Sequence, residues 1–234
     1  MRSILMLSAA SRAAFEAGLA SEAHALAIDL AGGAEAEIAR KNAAEWIAEA
    51  RGLNRCCLAQ IHALGSGLAD ADLDAVMAAR PDGIILPDAC GGRDVQHLGA
   101  KLAVREAENG LPDGFGKILV LAADSPAALF ELGSFARATR RLIGLGHDER
   151  LLMRRLGMAD GLRKKRPEPL RVARALCLFA AAAAGAPAYD CAESCEGEAF
   201  VQACAEAAAE GYAGKFVLTA KQAKIINAAF ADKN

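Results

Sequence analysis

"HALAIDLAGGAEAEIARKNAAEW" (His24–Trp46) decides the fold. His24–Leu30 is a short, nearly continuous apolar run. Apolar residues on every position, rather than on alternate ones, mark a strand covered on both faces, as in a parallel sheet. From Glu35 onward the pattern changes to a helical one, with charges on one face. One carboxylate, Asp29, stands at the end of the strand, followed by Ala31, Gly32 and Gly33, which carry no chemistry.

Working outward, the same alternation repeats. Apolar runs occur at Ser3–Leu7, His24–Leu30, Arg55–Ile61, Asp82–Pro87, Lys117–Ala123, Arg140–Gly146, Pro187–Cys191 and Gly214–Thr219. Amphipathic stretches lie between them. Ser11 is positioned to cap the first. Leu73, Val76 and Met77 share one face of another. Gly110 follows a third as a C′ glycine. Asp124 or Ser125 caps "DSPAALFELGSFA", with Pro126 in its first turn. Eight strands alternating with helices predict a TIM-type (β/α)8 barrel occupying residues 1–234 as one domain. A doubly wound open sheet is the alternative, and the missing GxGxxG after the first strand weighs against a dinucleotide fold.

Composition supports a large core: 54% of the 234 residues are hydrophobic and 24% charged, which excludes a disordered chain. The formal net charge of −2 comes without basic blocks that would suit nucleic acid. The one dense basic stretch, "RKKRPEPLR" (Arg163–Arg171), reads as a solvated loop. Seven cysteines form no CxxC pairs, so reduced thiols and a cytoplasmic setting are expected. No signal peptide or membrane span is expected. Motifs of serine hydrolases, zinc proteases and P-loop enzymes are absent.

The order of segments resembles the citrate lyase beta-subunit-like branch of the HpcH/HpaI aldolases. The stretches that carry it are "FEAGLASEAHALAIDLAGG" (Phe15–Gly33), "RPDGIILPDACGGRDV" (Arg80–Val95), "RLIGLGHDERLLMRRLG" (Arg141–Gly157), "AAAAGAPAYD" (Ala181–Asp190) and "AEGYAGKFVLTAKQAKIINAAF" (Ala209–Phe230). The last is the most specific. Gly214, Lys215, Gln222 and Asn227 match the family, while Thr219 and Ala220 stand at its His-Pro positions. The resemblance implies an Mg²⁺-dependent TIM barrel that makes or breaks a carbon–carbon bond, often on a CoA thioester. In that scheme two carboxylates hold the metal, and the metal and an arginine stabilise an enolate at the strand C-termini.

Residue by residue, the resemblance implies a stripped site. The family's Asp-Leu-Glu-Asp is Asp29-Leu30-Ala31-Gly32 here. Gln60 stands at its arginine, His62 at an asparagine, Asp88 at a lysine, and Ala123 at a metal-binding glutamate, with Asp124 beside it. The loop that carries the second ligand reads Gly146-His147-Asp148-Glu149, and Asp190 is retained. The expected site is therefore Asp29, Gln60 and His62 for catalysis, Asp124, Asp148 and Glu149 for any metal, and Asp88, Asp190 and Thr219 for substrate. Each also has a plain structural reading as a helix cap or a solvated loop residue. Mg²⁺ is implied by the resemblance and poorly supported by the residues. The ligand expected is a small organic acid or its acyl-CoA thioester, in a homo-oligomer without nucleic-acid or membrane partners. Two functions follow: a carbon–carbon lyase or aldolase with an altered site, or a degenerate barrel that binds a ligand or a partner subunit.

Overall fold

The computed structural model describes residues 1–33, 35–159 and 166–231. Each of the eight apolar runs contains a strand: β1 (Ser3–Ser8), β2 (Ala25–Asp29), β3 (Cys57–Gln60), β4 (Gly83–Leu86), β5 (Ile118–Leu121), β6 (Leu142–Gly146), β7 (Tyr189–Asp190) and β8 (Gly214–Val217). They form one sheet in the order β6-β5-β4-β3-β2-β1-β8-β7, and every named pairing is parallel. The outermost strands, β6 and β7, meet through a parallel bridge between Leu145 and Ala188, with Leu145 N–H donating to Pro187 O at 3.0 Å. The sheet thus closes into a (β/α)8 barrel whose seam is a single bridge wide.

The seam can close because β6 presents glycines there. A Cβ at Gly144 would lie 2.4 Å from the Tyr189 ring, and one at Gly146 2.6 Å from the Phe216 ring. Both are closer than atoms can approach. Alternate residues of the strands fill the barrel interior: Ile4, Ala25, Ala27, Leu58, Ile85, Leu119, Tyr189 and Phe216 form one buried cluster. Small alanines on β2 leave room for the two aromatic rings, which meet edge to face at 6.3 Å. The residues between them on each strand, such as Leu5, Leu26, Ile84 and Val217, pack outward in the larger cluster shared with the helices.

That outer layer holds α1 (Arg12–Leu19), α2 (Ala36–Gly52), α3 (Ala69–Met77), α4 (Gly92–Glu108), α5 (Pro126–Glu131), α6 (Glu149–Arg155), α7 (Glu168–Ala184), α8 (Gly197–Glu210) and α9 (Ala220–Ala229). Ser11 caps α1 by accepting the Ala14 N–H, and Ser125, not Asp124, caps α5 by accepting that of Ala128. Leu73, Val76 and Met77 are fully buried on α3. Among the described residues no helix is long and apolar enough to cross a membrane. Part of the basic stretch, 163–165, lies outside the described residues. The rest is an exposed helix end after β6: Glu168, Pro169 and Arg171 are exposed at the start of α7, while Leu170 is buried on that helix and Arg166 pairs with Glu193.

Candidate functional site

Parallel strands bring their C-terminal ends to one mouth, so a side chain at the end of any strand can reach a shared space. A cavity of about 190 Å³ opens there. Its floor is apolar, built by Met6, Leu121 and Phe216, and its polar walls are Asp29, Gln60, His147, Asp148 and Arg150.

Asp29 and Gln60 are register partners on β2 and β3, pointing to the same side. Gln60 Nε2 donates to Asp29 Oδ1 at 3.0 Å, and the Ala31 N–H donates to the same oxygen at 3.0 Å. The small residues after Asp29 now have a reason. A Cβ on Gly32 would come within 3.0 Å of Asp29 Oδ2 and 3.2 Å of Ser8 Oγ, while Ser8 bonds the Gly32 carbonyl. Gly33 takes φ +95°, a conformation that side chains disfavour. The turn folds tightly back over the carboxylate. Burial pushes the Asp29 carboxyl above its ordinary value, against the lowering effect of its two hydrogen bonds, and the nearby Asp148 charge adds to the rise.

One buried atom in this cavity, Gln60 Oε1, lacks a hydrogen-bonded partner among the described residues. The His147 ring turns the other way, with Nε2 3.8 Å from Asp190 Oδ1 and 4.0 Å from Glu149 Oε1, and packs 6.4 Å from the Tyr212 ring. Burial works against protonation of His147, but Cys177, Asp190 and Glu149 around the ring outweigh it and raise its pKa. Unbonded buried polar atoms are uncommon in folded proteins, and Gln60 lines the cavity. Arg150 is exposed on the rim and makes no ion pair among the described residues.

The remaining expected residues are distributed differently. Asp148 lines the cavity, but its Oδ1 is bound by the Arg150 and Leu151 N–H groups as the cap of α6. Asp124 lies buried beneath it, with Oδ1 accepting the Asp148 N–H at 2.7 Å and Oδ2 accepting the Asp88 N–H at 3.2 Å. Burial raises the Asp124 carboxyl to about 7 despite these bonds, and the Asp148 charge acts in the same direction. Asp88, at φ +55°, lines a neighbouring cleft of about 600 Å³, where Arg155 of α6 grips its carboxylate. Thr219 caps α9 by accepting the Gln222 N–H. Glu149 is buried at the start of α6, with Oε1 4.0 Å from His147 Nε2. His62 follows β3, where a positive charge on its ring would lower the Asp29 carboxyl.

Asp190 lies away from the mouth. It sits on the outer side of β7, opposite Tyr189 in the alternation. Arg174 of α7 donates to it from Nε at 2.9 Å and Nη2 at 3.2 Å, and Lys215 of β8 from Nζ at 2.6 Å. Lys215 also donates to Glu193 at 2.7 Å. The two cations hold Asp190 well below the ordinary carboxylate range even though burial opposes them.

The donors do not fit a magnesium site. Asp124 has both oxygens on backbone N–H groups, Asp148 is a helix cap, and Ala123 offers no ligand. Among the described residues, the one group of three metal-ligating side chains within 4.8 Å is His147, Asp190 and Cys191, all buried. Its only carboxylate is already neutralised by Arg174 and Lys215. That set also lacks the several oxygen donors a hard cation needs.

The sequence alone did not single out Arg150. The available signal was its place in the first turn of a helix, where a cation runs against the helix dipole. Asp72, which bonds His62, was also missed, because it falls in a helical stretch far from any strand end.

No protein-family model and no curated protein matches the chain. Solved structures do. The citrate lyase beta subunit from Mycobacterium tuberculosis superposes with a TM-score of 0.81 at 20% identity, over 98% of this chain and 96% of that one. RipC from Yersinia pestis gives 0.77 at 22% identity, over 98% and 94%. Haloferax volcanii malate synthase gives 0.84 at 16% identity, over 97% and 72%. The M. tuberculosis protein has also been solved with oxaloacetate and magnesium, and with magnesium, acetoacetate and coenzyme A. The chain has the barrel fold of the citrate lyase beta subunit over nearly its whole length.

Proposed function

We propose that this chain is a divergent relative of the citrate lyase beta subunit that binds a small organic acid at the barrel mouth without magnesium. The observation that carries this is the cavity itself. Arg150 brings an unpaired cation to its rim, and Gln60 Oε1 brings unmet hydrogen-bonding capacity to its wall. The cavity of about 190 Å³ holds roughly six water-sized volumes of about 30 Å³ each, the scale of a small carboxylic acid. The guanidinium offers a forked contact to carboxylate. Oxaloacetate and acetoacetate, ligands of structurally similar barrels, are the first probes, as free acids or as thioesters.

Cleavage of citryl- or malyl-type thioesters is lost in this reading. Gln60 stands where the resemblance puts an arginine, and a neutral amide supplies no charge to an enolate. Removing one preorganised stabiliser costs about 3–4 kcal/mol, or roughly a hundred- to a thousandfold in rate.

Isothermal titration with oxaloacetate and acetoacetate, with and without Mg²⁺, tests both parts. Binding that is unchanged by Mg²⁺ and weakened by roughly ten- to a hundredfold in Arg150→Gln is the expected result. Affinity that requires Mg²⁺, or thioester turnover near about 10 per second, the enzyme median, would overturn it and restore the lyase.

A further inference from the structure

We infer that Gln60 turns a hydrogen-bond acceptor toward the mouth cavity, so that the site selects acids carrying a hydroxyl over the matching keto acids. The inference rests on the anion-binding reading above and names the ligand class within it.

A glutamine amide has a donating end and an accepting end, and its neighbours decide which one is left for a ligand. Here Asp29 decides it. Its Oδ1 lies 3.0 Å from Gln60 Nε2 and also accepts the Ala31 N–H at 3.0 Å. With Oδ1 committed to a backbone donor, any proton the carboxyl takes up belongs on Oδ2. Oδ1 is then an acceptor in both charge states, and the amide must point its NH2 group at it. The reverse orientation would set two oxygens against each other at 3.0 Å. Oε1 is left at the other end of the amide, buried and without a bonded partner among the described residues.

The fold holds that orientation. Gln60 is in register with Asp29 of β2 on one side and Ile85 of β4 on the other. Its amide cannot rotate toward another donor without giving up Asp29. The cavity offers it little else: Met6, Leu121, Phe216 and Leu218 are apolar, Asp148 is an acid, and Arg150 stands at the rim. The arginine that the resemblance implies at this position can only donate. The glutamine presents the opposite polarity.

A ligand carbonyl set beside Oε1 opposes acceptor to acceptor and leaves the buried oxygen unmatched. A hydroxyl on the same carbon donates to it. The two ligands differ by two hydrogens and little in size, so shape sorts them poorly and the hydrogen bond sorts them well. An unmatched buried acceptor separates such a pair by roughly ten- to a hundredfold in affinity.

Titration calorimetry on the whole chain uses two matched pairs, malate against oxaloacetate and 3-hydroxybutyrate against acetoacetate. Each hydroxy acid is taken as its tighter enantiomer. The first pair places the hydroxyl next to a carboxylate, and the second places it one carbon further away. A preference of roughly ten- to a hundredfold for the hydroxy acid is expected in at least one pair. Gln60→Leu keeps much of the bulk and removes the acceptor, and it is expected to bring that ratio close to one. A second reading needs no variant. The side-chain carbonyl carbon of Gln60 is expected to move downfield in carbon-13 spectra with the hydroxy acid bound, and not with the keto acid. Hydroxy and keto acids that bind equally, with Arg150→Gln weakening both, would overturn the selection and leave the anion reading standing. A preference that survives in Gln60→Leu would do the same, and would move the acceptor to Asp29 or Asp148. Tighter binding of the keto acid in both pairs would show that the amide is turned the other way. Failure of all four acids to bind would overturn both readings.

Discussion

The mouth of the barrel and the ion cluster behind β7 and β8 both gather charged residues into buried space, and they treat them in opposite ways. Behind the strands every charge is answered. Asp190 has Arg174 and Lys215, Glu193 has Lys215 and Arg166, and Arg174 also lies over the Tyr212 ring at 4.7 Å while Tyr212 donates to its carbonyl. At the mouth, acids are raised toward neutrality, the buried Gln60 Oε1 lacks a bond, and one cation is unpaired among the described residues. A saturated network fixes a structure, because each partner's desolvation is offset by another. An unsaturated one leaves capacity for something else. Retention of Asp190 and Lys215 therefore speaks for the fold, whereas the function has to be sought where bonds are missing.

The largest expected effect breaks the saturated side. Lys215→Met removes one of the two cations from fully buried Asp190 and leaves Glu193 with Arg166. Opening a buried pair from one side costs about 3–5 kcal/mol. In a chain of this size that is a fall of roughly 10 °C in melting temperature, read by calorimetry. Replacing both partners, as in Asp190→Leu with Lys215→Met, is expected to recover part of the loss, since an apolar pair leaves no orphaned charge. A single variant as stable as wild type would show that water reaches this cluster.

The two regions should also bend the pH dependence of stability in opposite directions. Asp190 and Glu193 are held below their ordinary values. Above the unfolded pKa their contribution is fully present, and it is lost as pH falls from about 4 toward their folded values. Asp124 is raised from 3.8 to about 7. Between those limits the folded state holds a proton that the unfolded chain has lost, so stability falls as pH rises, with a slope of at most about 1.4 kcal/mol per pH unit. Above pH 7 the slope from Asp124 disappears. Urea midpoints measured from pH 3 to 8 should rise and then decline, and Asp124→Asn should remove the decline between pH 4 and 7. An unchanged decline in that variant would move the titration to Asp29.

These contrasts explain how far the chain could be read without coordinates. All eight strands were readable, because burial on both faces writes itself as uninterrupted apolar runs. Caps at Ser11 and Ser125 were readable because capping depends on a local hydrogen bond. The site was readable only in part. Asp29, Gln60 and Asp148 reach the same cavity because each lies at or just after the end of a strand. Asp190 is also at a strand end, but the two-residue alternation turns it outward, and one residue of register decides between mouth and wall. Glu149 is turned away by the start of α6, and Thr219 serves its own helix. The pairing of Asp72 with His62 spans a loop whose path no local pattern specifies.

A smaller effect sharpens the unsaturated side. Arg150 is exposed and unpaired among the described residues, so Arg150→Gln should change folding stability by no more than about 0.5 kcal/mol. Its effect belongs to the ligand. Loss of one forked, charge-assisted contact is expected to weaken binding of oxaloacetate or acetoacetate by roughly ten- to a hundredfold, about 1.4–2.8 kcal/mol. Titration of both proteins at equal ionic strength separates these outcomes. A variant that melts several degrees lower would mean that Arg150 is answered within the fold after all, and that the mouth is closer to the saturated cluster than it looks.

The smallest effect concerns Gly32, where the two kinds of region touch. Its turn is part of the fold, yet it sets the position of an acid in the cavity. A methyl group there would meet Asp29 Oδ2 at 3.0 Å and Ser8 Oγ at 3.2 Å. Both neighbours are side chains, and both can yield by rotating. Gly32 is not among the residues with positive φ, so alanine also restricts the unfolded chain without backbone strain. These opposing contributions leave Gly32→Ala within about 1 kcal/mol of wild type in stability. The displaced group is Asp29, however, and Gln60 is bonded to it. Rotation of the carboxylate frees Gln60 Nε2 and changes what the cavity wall offers a ligand. Gly32→Ala should therefore alter affinity for a small acid while its melting curve stays nearly unchanged. Coincident affinities in the two proteins would show that Asp29 lies outside the ligand's reach, and that the glycine serves only the turn.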